Sequence, residues 1–138
     1  MTKGVADLGQ LRTPHDEVRK EQLCNGNHKH GLLAMQDTMA ILGGKWKLRI
    51  IGTLTLRGKF RFKDLQREVA GIGAKMLSKE LQDLEANQII TRTVLTTKPI
   101  SVEYEITPYG RSLEHIVLDI IQWGLEHRER IMKSDISE

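Results

Sequence analysis

The chain has 138 residues, of which 39% are hydrophobic, and its formal net charge is +3. This length fits a single domain, and no apolar run approaches the ~20 residues that a membrane span needs. The first residues lack the continuous apolar stretch of a signal peptide, and the single cysteine, Cys24, cannot form an intrachain disulfide. We therefore expect a cytoplasmic protein with no membrane partner.

The positive charge is concentrated in one part of the chain. Residues 43–67 contain eight basic residues and one acidic residue, whereas residues 100–130 contain three arginines and six acidic residues. The eight basic residues are Lys45, Lys47, Arg49, Arg57, Lys59, Arg61, Lys63 and Arg67. One end of the domain therefore suits a polyanion and the other does not.

Composition divides the chain into three parts. The first 30 residues are polar with little periodicity, which predicts an N-terminal arm over residues 1–30. Periodic apolar residues follow, so the folded domain is expected over residues 31–132, with a short tail at 133–138.

Helices and one short strand fill the first half of this domain. In chain order the predicted elements are helices over Ala34–Leu42 and Lys45–Leu56, a strand at Phe60-Arg61-Phe62, and helices over Lys63–Val69 and Ala74–Asn87. Gly43-Gly44 ends the first helix, because glycine readily takes the left-handed conformation found there. In the second helix, Trp46 is expected to point toward the core.

A β-hairpin is predicted after the fourth helix. Its strands are Ile89–Thr96 and Val102–Thr107, with Lys98-Pro99 at the tip. A last helix follows from about Pro108 to Met132, with Thr107 as its N-cap. Two helices followed by a charged hairpin predict a winged helix-turn-helix, an α+β fold that is mainly α, with flanking N- and C-terminal dimerisation helices. Such a domain places one helix in the DNA major groove and the hairpin beside it.

The fourth helix is the candidate for DNA recognition. Its apolar stripe is Leu77, Leu81 and Leu84, and the opposite face carries Lys75, Ser78, Lys79 and Gln82. Ala74 at the N-terminus is small enough to contact a thymine methyl, and Lys75, Ser78 and Lys79 can reach phosphates or guanine acceptors. A solvated surface helix would show the same pattern, and the hairpin that follows favours DNA.

Other polar residues are candidates for phosphate contacts. Thr97 and Lys98 form the hairpin tip, where a lysine can bind the minor groove or phosphate but can equally serve solubility. Lys45 is expected to anchor phosphate. Arg61 can bind phosphate or pair with a hairpin glutamate, and for Arg92 we favour an ion pair with Glu105.

The last helix is apolar around much of its circumference. Its apolar residues include Leu113, Val117, Ile120, Ile121 and Trp123. A helix of this kind must bury two sides, one against its own domain and the second against another subunit.

Cys24 is the candidate for redox chemistry. Its basic neighbours include Lys20 and Lys29, and cationic groups of this kind raise the thiolate fraction of a cysteine. A reactive thiol could form an intersubunit disulfide or bind an electrophile, although we favour an ordinary free cysteine. Cys24, His28 and His30 lack a fourth metal ligand, so no metal site and no cofactor are expected.

Four motifs together resemble those of the HxlR-type winged helix regulators, bacterial and archaeal relatives of the MarR group. They are Ile41-Leu42-Gly43-Gly44-Lys45-Trp46, Arg61-Phe62-x-Asp64-Leu65, Ile72 through Leu77-x3-Leu81-x2-Leu84, and Val102-Glu103-Tyr104-x-Ile106-Thr107-x2-Gly110. The resemblance covers about residues 35–125.

This resemblance implies a homodimer that binds a pseudo-palindromic operator in double-stranded DNA. Dimerisation would use the first and last helices, which adds Met35 and Met39 to the apolar residues of the last helix. Some family members sense oxidants or electrophiles through a cysteine just before the first helix, near the place of Cys24. This chain departs from the family's pattern at Cys24-Asn25, where Cys-Pro is usual, and at Gly73-Ala74, where Ser or Thr is frequent.

The leading hypothesis is a dimeric, sequence-specific transcriptional regulator that is not an enzyme, because no nucleophile–base pair or metal-ligand set is visible. The alternative is a regulator switched through Cys24 by an oxidant or small-molecule effector. A third option is a winged helix that binds protein or ligand without binding DNA, since fold does not fix function.

Overall fold

The computed structural model describes residues 19–21 and 28–136. In chain order its elements are α1 (His28–Leu42), α2 (Lys47–Arg57), β1 (Phe60–Arg61), α3 (Phe62–Glu68), α4 (Ala74–Ala86), β2 (Ile90–Leu95), β3 (Ser101–Ile106), a 3-10 turn (Gly110–Leu113) and α5 (Glu114–Ile136). Helices dominate and three strands form one small sheet, so the predicted winged helix-turn-helix is confirmed. No helix in the described part of the chain combines the length and apolarity needed to cross a membrane.

The described residues form two compact units. One contains Met39–Ile120, and the other contains the described residues up to Thr38 together with those from Ile121 onward. The division falls within α1 and within α5. All elements from α2 to β3 belong to the first of these units, which is called the winged unit below.

The sheet of the winged unit is antiparallel, with the strand order β1-β3-β2. Phe60 lies opposite Tyr104 across β1 and β3, and Ile90 lies opposite Ile106 across β2 and β3. Side chains of a strand alternate between the two sheet faces. Ile90, Tyr104 and Ile106 therefore turn one face toward the helices, and all three are buried.

The core of the winged unit is aliphatic. Its fully buried side chains come from α2, from α3 and the residue that follows it, from α4 and from the sheet: Ile50, Ile51, Leu65, Val69, Leu77, Leu81, Leu84 and Ile90. Burial of one such side chain stabilises the fold by about 1.5–3 kcal/mol. Val117 is also buried, with 4% of its surface exposed, so the structure places it in the core and not on an exposed dimerisation face. Leu113 is half-buried against the same core.

The segment between the sheet and α5 requires glycine. Gly110 packs so closely on the residue before β2 that a Cβ atom there would lie 2.2 Å from the carbonyl oxygen of Ile89. Its backbone N–H donates a 2.8 Å hydrogen bond to Thr107 Oγ1, and that hydroxyl donates to the carbonyl of Gln88 at 2.7 Å. Thr107 therefore holds the start of the 3-10 turn, whose N-cap residue is Tyr109, and it is not the N-cap of α5 as predicted, because α5 begins only at Glu114.

Several predicted boundaries differ from the structure. The first helix begins at His28 instead of Ala34, because Gly31 costs a helix only about 1 kcal/mol and does not stop it. Phe62 belongs to α3 and not to the strand, which keeps only Phe60 and Arg61. The last helix begins at Glu114 and extends to Ile136, past the predicted end at Met132, since no breaker follows that residue.

Candidate DNA-binding surface

A short turn joins α3 to α4 in the manner of a helix-turn-helix. Gly71 adopts φ +93°, a left-handed conformation that suits glycine. Ile72 is buried, and its carbonyl accepts a 3.4 Å hydrogen bond from Gln66 Nε2 of α3. The turn is thereby held by one apolar anchor and one side-chain hydrogen bond, which fixes where α4 begins.

Helix α4 has a buried face and an exposed face, as its sequence predicted. Leu77, Leu81 and Leu84 are at most 1% exposed. Four candidate residues lie on the other side: Ala74, Lys75 and Lys79 are exposed, and Ser78 is half-buried. The structure therefore brings these four side chains together on one surface of the winged unit.

Ion pairs connect the C-terminal half of α4 to α2. Lys47 Nζ lies 2.5 Å from Glu80 Oε2 and 3.4 Å from Asp83 Oδ2. The Lys47 and Glu80 side chains are only 13% and 11% exposed. The hydrogen bond that Lys47 donates to Glu80 raises the pKa of Lys47 above its usual value, against the opposing effect of desolvation. Lys47 therefore positions α4 through its contacts with Glu80 and Asp83, and it is not free to bind phosphate.

Three further basic residues of the 43–67 segment have acidic partners. Arg57 pairs with Glu68 at 2.8 Å, Arg67 pairs with Asp64, and Lys59 lies 4.0 Å from Glu103 and 3.9 Å from Glu105. Within the described residues, no ion pair with a carboxylate is formed by Lys45, Arg49, Arg61 or Lys63. The charge available to a polyanion is accordingly smaller than the sequence count suggests, and it is carried by these four side chains.

Lys45 and Arg49 flank the ring of Trp46. Lys45 Nζ lies 4.6 Å and Arg49 Cζ lies 5.0 Å from the ring centroid, which are cation–π distances. Arg49 also donates a 3.1 Å hydrogen bond to the carbonyl of Ala70, at the turn before α4. Trp46 is half-buried and packs against the core, as predicted. The candidate Lys45 therefore lies beside the helix-turn-helix.

The hairpin tip carries the predicted residues on its surface. Thr97 and Lys98 are exposed, and Thr97 Oγ1 donates a 2.9 Å hydrogen bond to the carbonyl of Pro99. Arg61 is exposed opposite Glu103, yet Lys59 is the residue that approaches the hairpin glutamates. Of the two alternatives for Arg61, the pairing with a glutamate is not formed.

The ion pair predicted between Arg92 and Glu105 is wrong. Thr91 lies opposite Glu105, and Arg92 lies opposite Tyr104. Because side chains alternate along a strand, Arg92 projects from the sheet face that carries Tyr104, and Glu105 projects from the other. The exposed Arg92 side chain therefore remains available on the side of α4.

The predicted dimerisation residues are mostly solvent-exposed in the single chain. Met35 and Met39 of α1 are 59% and 58% exposed, and Ile120, Ile121 and Trp123 of α5 are 48%, 40% and 57% exposed. The Trp123 ring stacks on His127 with centroids 4.8 Å apart.

Cys24 lies outside the described residues. Among those that are described, no cluster of three or more His, Cys, Asp or Glu residues could hold a metal ion.

Comparison with known proteins agrees with this geometry. Residues 41–132 match the model of the HxlR-like helix-turn-helix family. The HTH-type transcriptional regulator YtcD of Bacillus subtilis is 41% identical over 99 residues, which are 72% of this chain and 78% of YtcD. The matching family and YtcD are transcriptional regulators and not enzymes, as the sequence predicted.

Solved structures show the same fold. The redox regulator HypR in its reduced form is 36% identical, with a TM-score of 0.66 over 72% of this chain and 98% of HypR. The reduced form of the transcriptional regulator YodB from B. subtilis is 33% identical, with a TM-score of 0.58 over 65% of this chain and 87% of YodB. The chain belongs to the HxlR-like helix-turn-helix family of transcriptional regulators.

Proposed function

We propose that this chain is a homodimeric, cytoplasmic regulator that binds a pseudo-palindromic operator in double-stranded DNA. The observation that carries the proposal is the division of α4 into a leucine face buried in the core and an exposed face with Lys75, Ser78 and Lys79. In a helix-turn-helix protein, the second helix of the motif lies in the major groove and presents such a face to base edges and phosphates.

The surroundings of α4 support the same partner. Lys45 lies beside the turn that precedes α4, and Arg61 is exposed on β1 with no carboxylate partner among the described residues. Lys98 is exposed at the hairpin tip, where it can reach the neighbouring phosphates or the minor groove. Each of these residues adds a cation where a DNA backbone would flank the inserted helix.

The homodimer is supported by exposed apolar side chains. Met35, Met39, Ile120, Ile121 and Trp123 are all at least 40% exposed. Five large apolar side chains exposed on two helices suit a subunit interface, since large exposed apolar patches mark interaction sites. A two-fold axis would place the two α4 helices in half-sites about one helical turn apart.

A binding titration tests the DNA-binding part of this proposal. The probe is a labelled duplex from the DNA upstream of the protein's own gene, with excess nonspecific competitor. We expect a discrete complex that survives the competitor and that Lys75→Ala or Lys79→Ala weakens, with Lys133→Ala on α5 as the matched control. Equal affinity of all three variants and the wild type would remove α4 as the recognition helix.

A second candidate function is regulation by an oxidant or electrophile through Cys24. Two structural neighbours favour it: HypR is described as a redox regulator, and YodB has been solved in a diamide-treated form. Because Cys24 is the chain's single cysteine, any disulfide must join two molecules. Diamide should then change the DNA affinity of the wild type and leave Cys24→Ser unaffected, whereas an equal response of both would exclude Cys24.

The third option, a winged helix that binds protein or ligand, predicts the opposite result of the titration. Such a module would show only weak binding that the competitor removes. The positions of Lys75 and Lys79 on the exposed face of α4 favour the DNA-binding alternative.

A further inference from the structure

A groove of about 400 Å³ runs between α4 and the hairpin. Its apolar lining is formed by Phe62, Leu81, Val102 and Tyr104, and the rings of Phe62 and Tyr104 lie 6.4 Å apart. Its polar lining comes from Ser78, Gln82 and Glu85 of α4 and from Arg92 of β2. All these residues belong to the winged unit.

The polar side of the groove is continuous with the face of α4 that is proposed to enter the major groove. At about 100° per residue, Ser78 and Gln82 lie within about 60° of Lys75 around the helix axis. Ser78 therefore borders both surfaces. A DNA duplex that receives Lys75 in its major groove has one sugar–phosphate strand on the hairpin side of α4.

Arg92 gives this groove its positive charge. It lies opposite Tyr104 on the face turned toward α4, and it has no carboxylate partner among the described residues. The guanidinium group of arginine presents several N–H donors to phosphate oxygens, and serine and glutamine side chains donate to phosphate as well. The half-buried side chains of Phe62 and Val102 beneath can pack against deoxyribose.

We propose that the groove between α4 and the hairpin holds one strand of the DNA backbone, with a phosphate bound by Arg92, Gln82 and Ser78. This inference rests on the proposed function and adds a phosphate site to it. Glu85, near the C-terminal end of α4, repels phosphate. The phosphate is therefore expected at the end of the groove near Ser78. Arg92 fixes the depth of α4 in the major groove through a contact that carries no base specificity.

Salt-dependent titration of wild type, Arg92→Ala and Arg92→Gln against the upstream duplex and a scrambled duplex tests this inference. Arg130→Ala, on the exposed surface of α5, removes the same charge outside the groove and serves as the control. We expect Arg92→Ala to weaken binding about tenfold and to reduce the salt slope by about one per subunit, by a similar factor on both duplexes. Glu85→Gln should tighten binding. Arg92→Gln keeps a long side chain on β2, so it should reproduce the loss if charge, and not folding, is the cause.

The failures are distinguishable. If both Arg92 variants match Arg130→Ala in affinity and salt slope while Lys75→Ala still weakens binding, the groove does not hold the backbone and the proposed function stands. Loss of binding to the upstream duplex alone would make Arg92 a base-reading residue and would also overturn the inference. If the wild type forms no complex that survives competitor, the proposed function fails and this inference fails with it.

Discussion

Lys47 of α2 and Glu80 of α4 form an ion pair with 2.5 Å between Nζ and Oε2, and both side chains are nearly buried. Lys47 belongs to the segment that looked most suited to nucleic acid, yet its charge is used inside the protein. The pair connects α4 to the helix behind it, so the orientation of the proposed recognition helix depends on a polar contact as well as on its leucine face.

Removal of the Lys47 charge should destabilise the fold. Lys47→Met leaves the Glu80 carboxylate nearly buried without its partner, which should lower the free energy of unfolding by about 2 kcal/mol. Lys59→Met is the matched control, because Lys59 is 58% exposed and its glutamates are 3.9–4.0 Å away. That change should cost less than about 0.5 kcal/mol. Urea unfolding measures both, and equal losses would contradict this role of the pair.

The same pair predicts a loss of stability at high pH. The hydrogen bond that Lys47 donates to Glu80 in the folded protein raises the pKa of Lys47 above the usual 10.5. Its contribution is therefore complete below about pH 10.5 and disappears as the pH rises through the folded-state pKa. The difference in unfolding free energy between wild type and Lys47→Met should shrink above that pH. A difference that stays constant into the alkaline range would refute the assignment.

Gly110 should tolerate no side chain. In Gly110→Ala the new Cβ would lie 2.2 Å from the Ile89 carbonyl oxygen and 3.1 Å from Ile106 Cγ2, so the backbone must shift. We expect a loss of about 1–3 kcal/mol in thermal or urea unfolding. Gly52→Ala is the control, because its Cβ would lie 3.5 Å from Val117 Cγ1, an ordinary contact, inside helix α2. It should be neutral or stabilising by up to about 1 kcal/mol.

Trp123→Ala should weaken the proposed homodimer. The ring is 57% exposed in the single chain, and a large aromatic side chain at an interface often contributes about 2 kcal/mol or more to association. Sedimentation equilibrium should show a dissociation constant at least about tenfold higher than that of the wild type. Tyr109→Ala, which removes another exposed aromatic ring outside the proposed interface, should leave it unchanged. Equal effects of the two substitutions would place the interface elsewhere.

Sequence periodicity predicted the main elements well. The spacing of Leu77, Leu81 and Leu84 identified the buried face of α4, and the alternation of Val102, Tyr104 and Ile106 identified the inner face of β3. Both patterns follow directly from the geometry of a helix and a strand. The family resemblance then added the expectation of a homodimer on a pseudo-palindromic operator.

Pairing between elements was harder to predict. The Arg92–Glu105 pair would have required a one-residue slip of β2, which would move Ile90 and Val94 onto the face of the glutamates. The apolar alternation of β2 therefore already contained the evidence against that pair. The Lys47–Glu80 contact joins residues 33 positions apart, and nothing local in the sequence reveals it. Its only signal is that Glu80 and Asp83 adjoin the leucine stripe of α4.

Footprinting of the protein on its upstream DNA tests the central claim most directly. A homodimer that inserts one α4 helix into each half-site should protect two regions related by a dyad, with their centres about one helical turn apart, roughly 34–36 Å. The protection should disappear in Lys75→Ala at a concentration that saturates the wild type. A single protected region without a dyad, or a footprint unchanged by Lys75→Ala, would contradict the account of α4 as the recognition helix of a dimer.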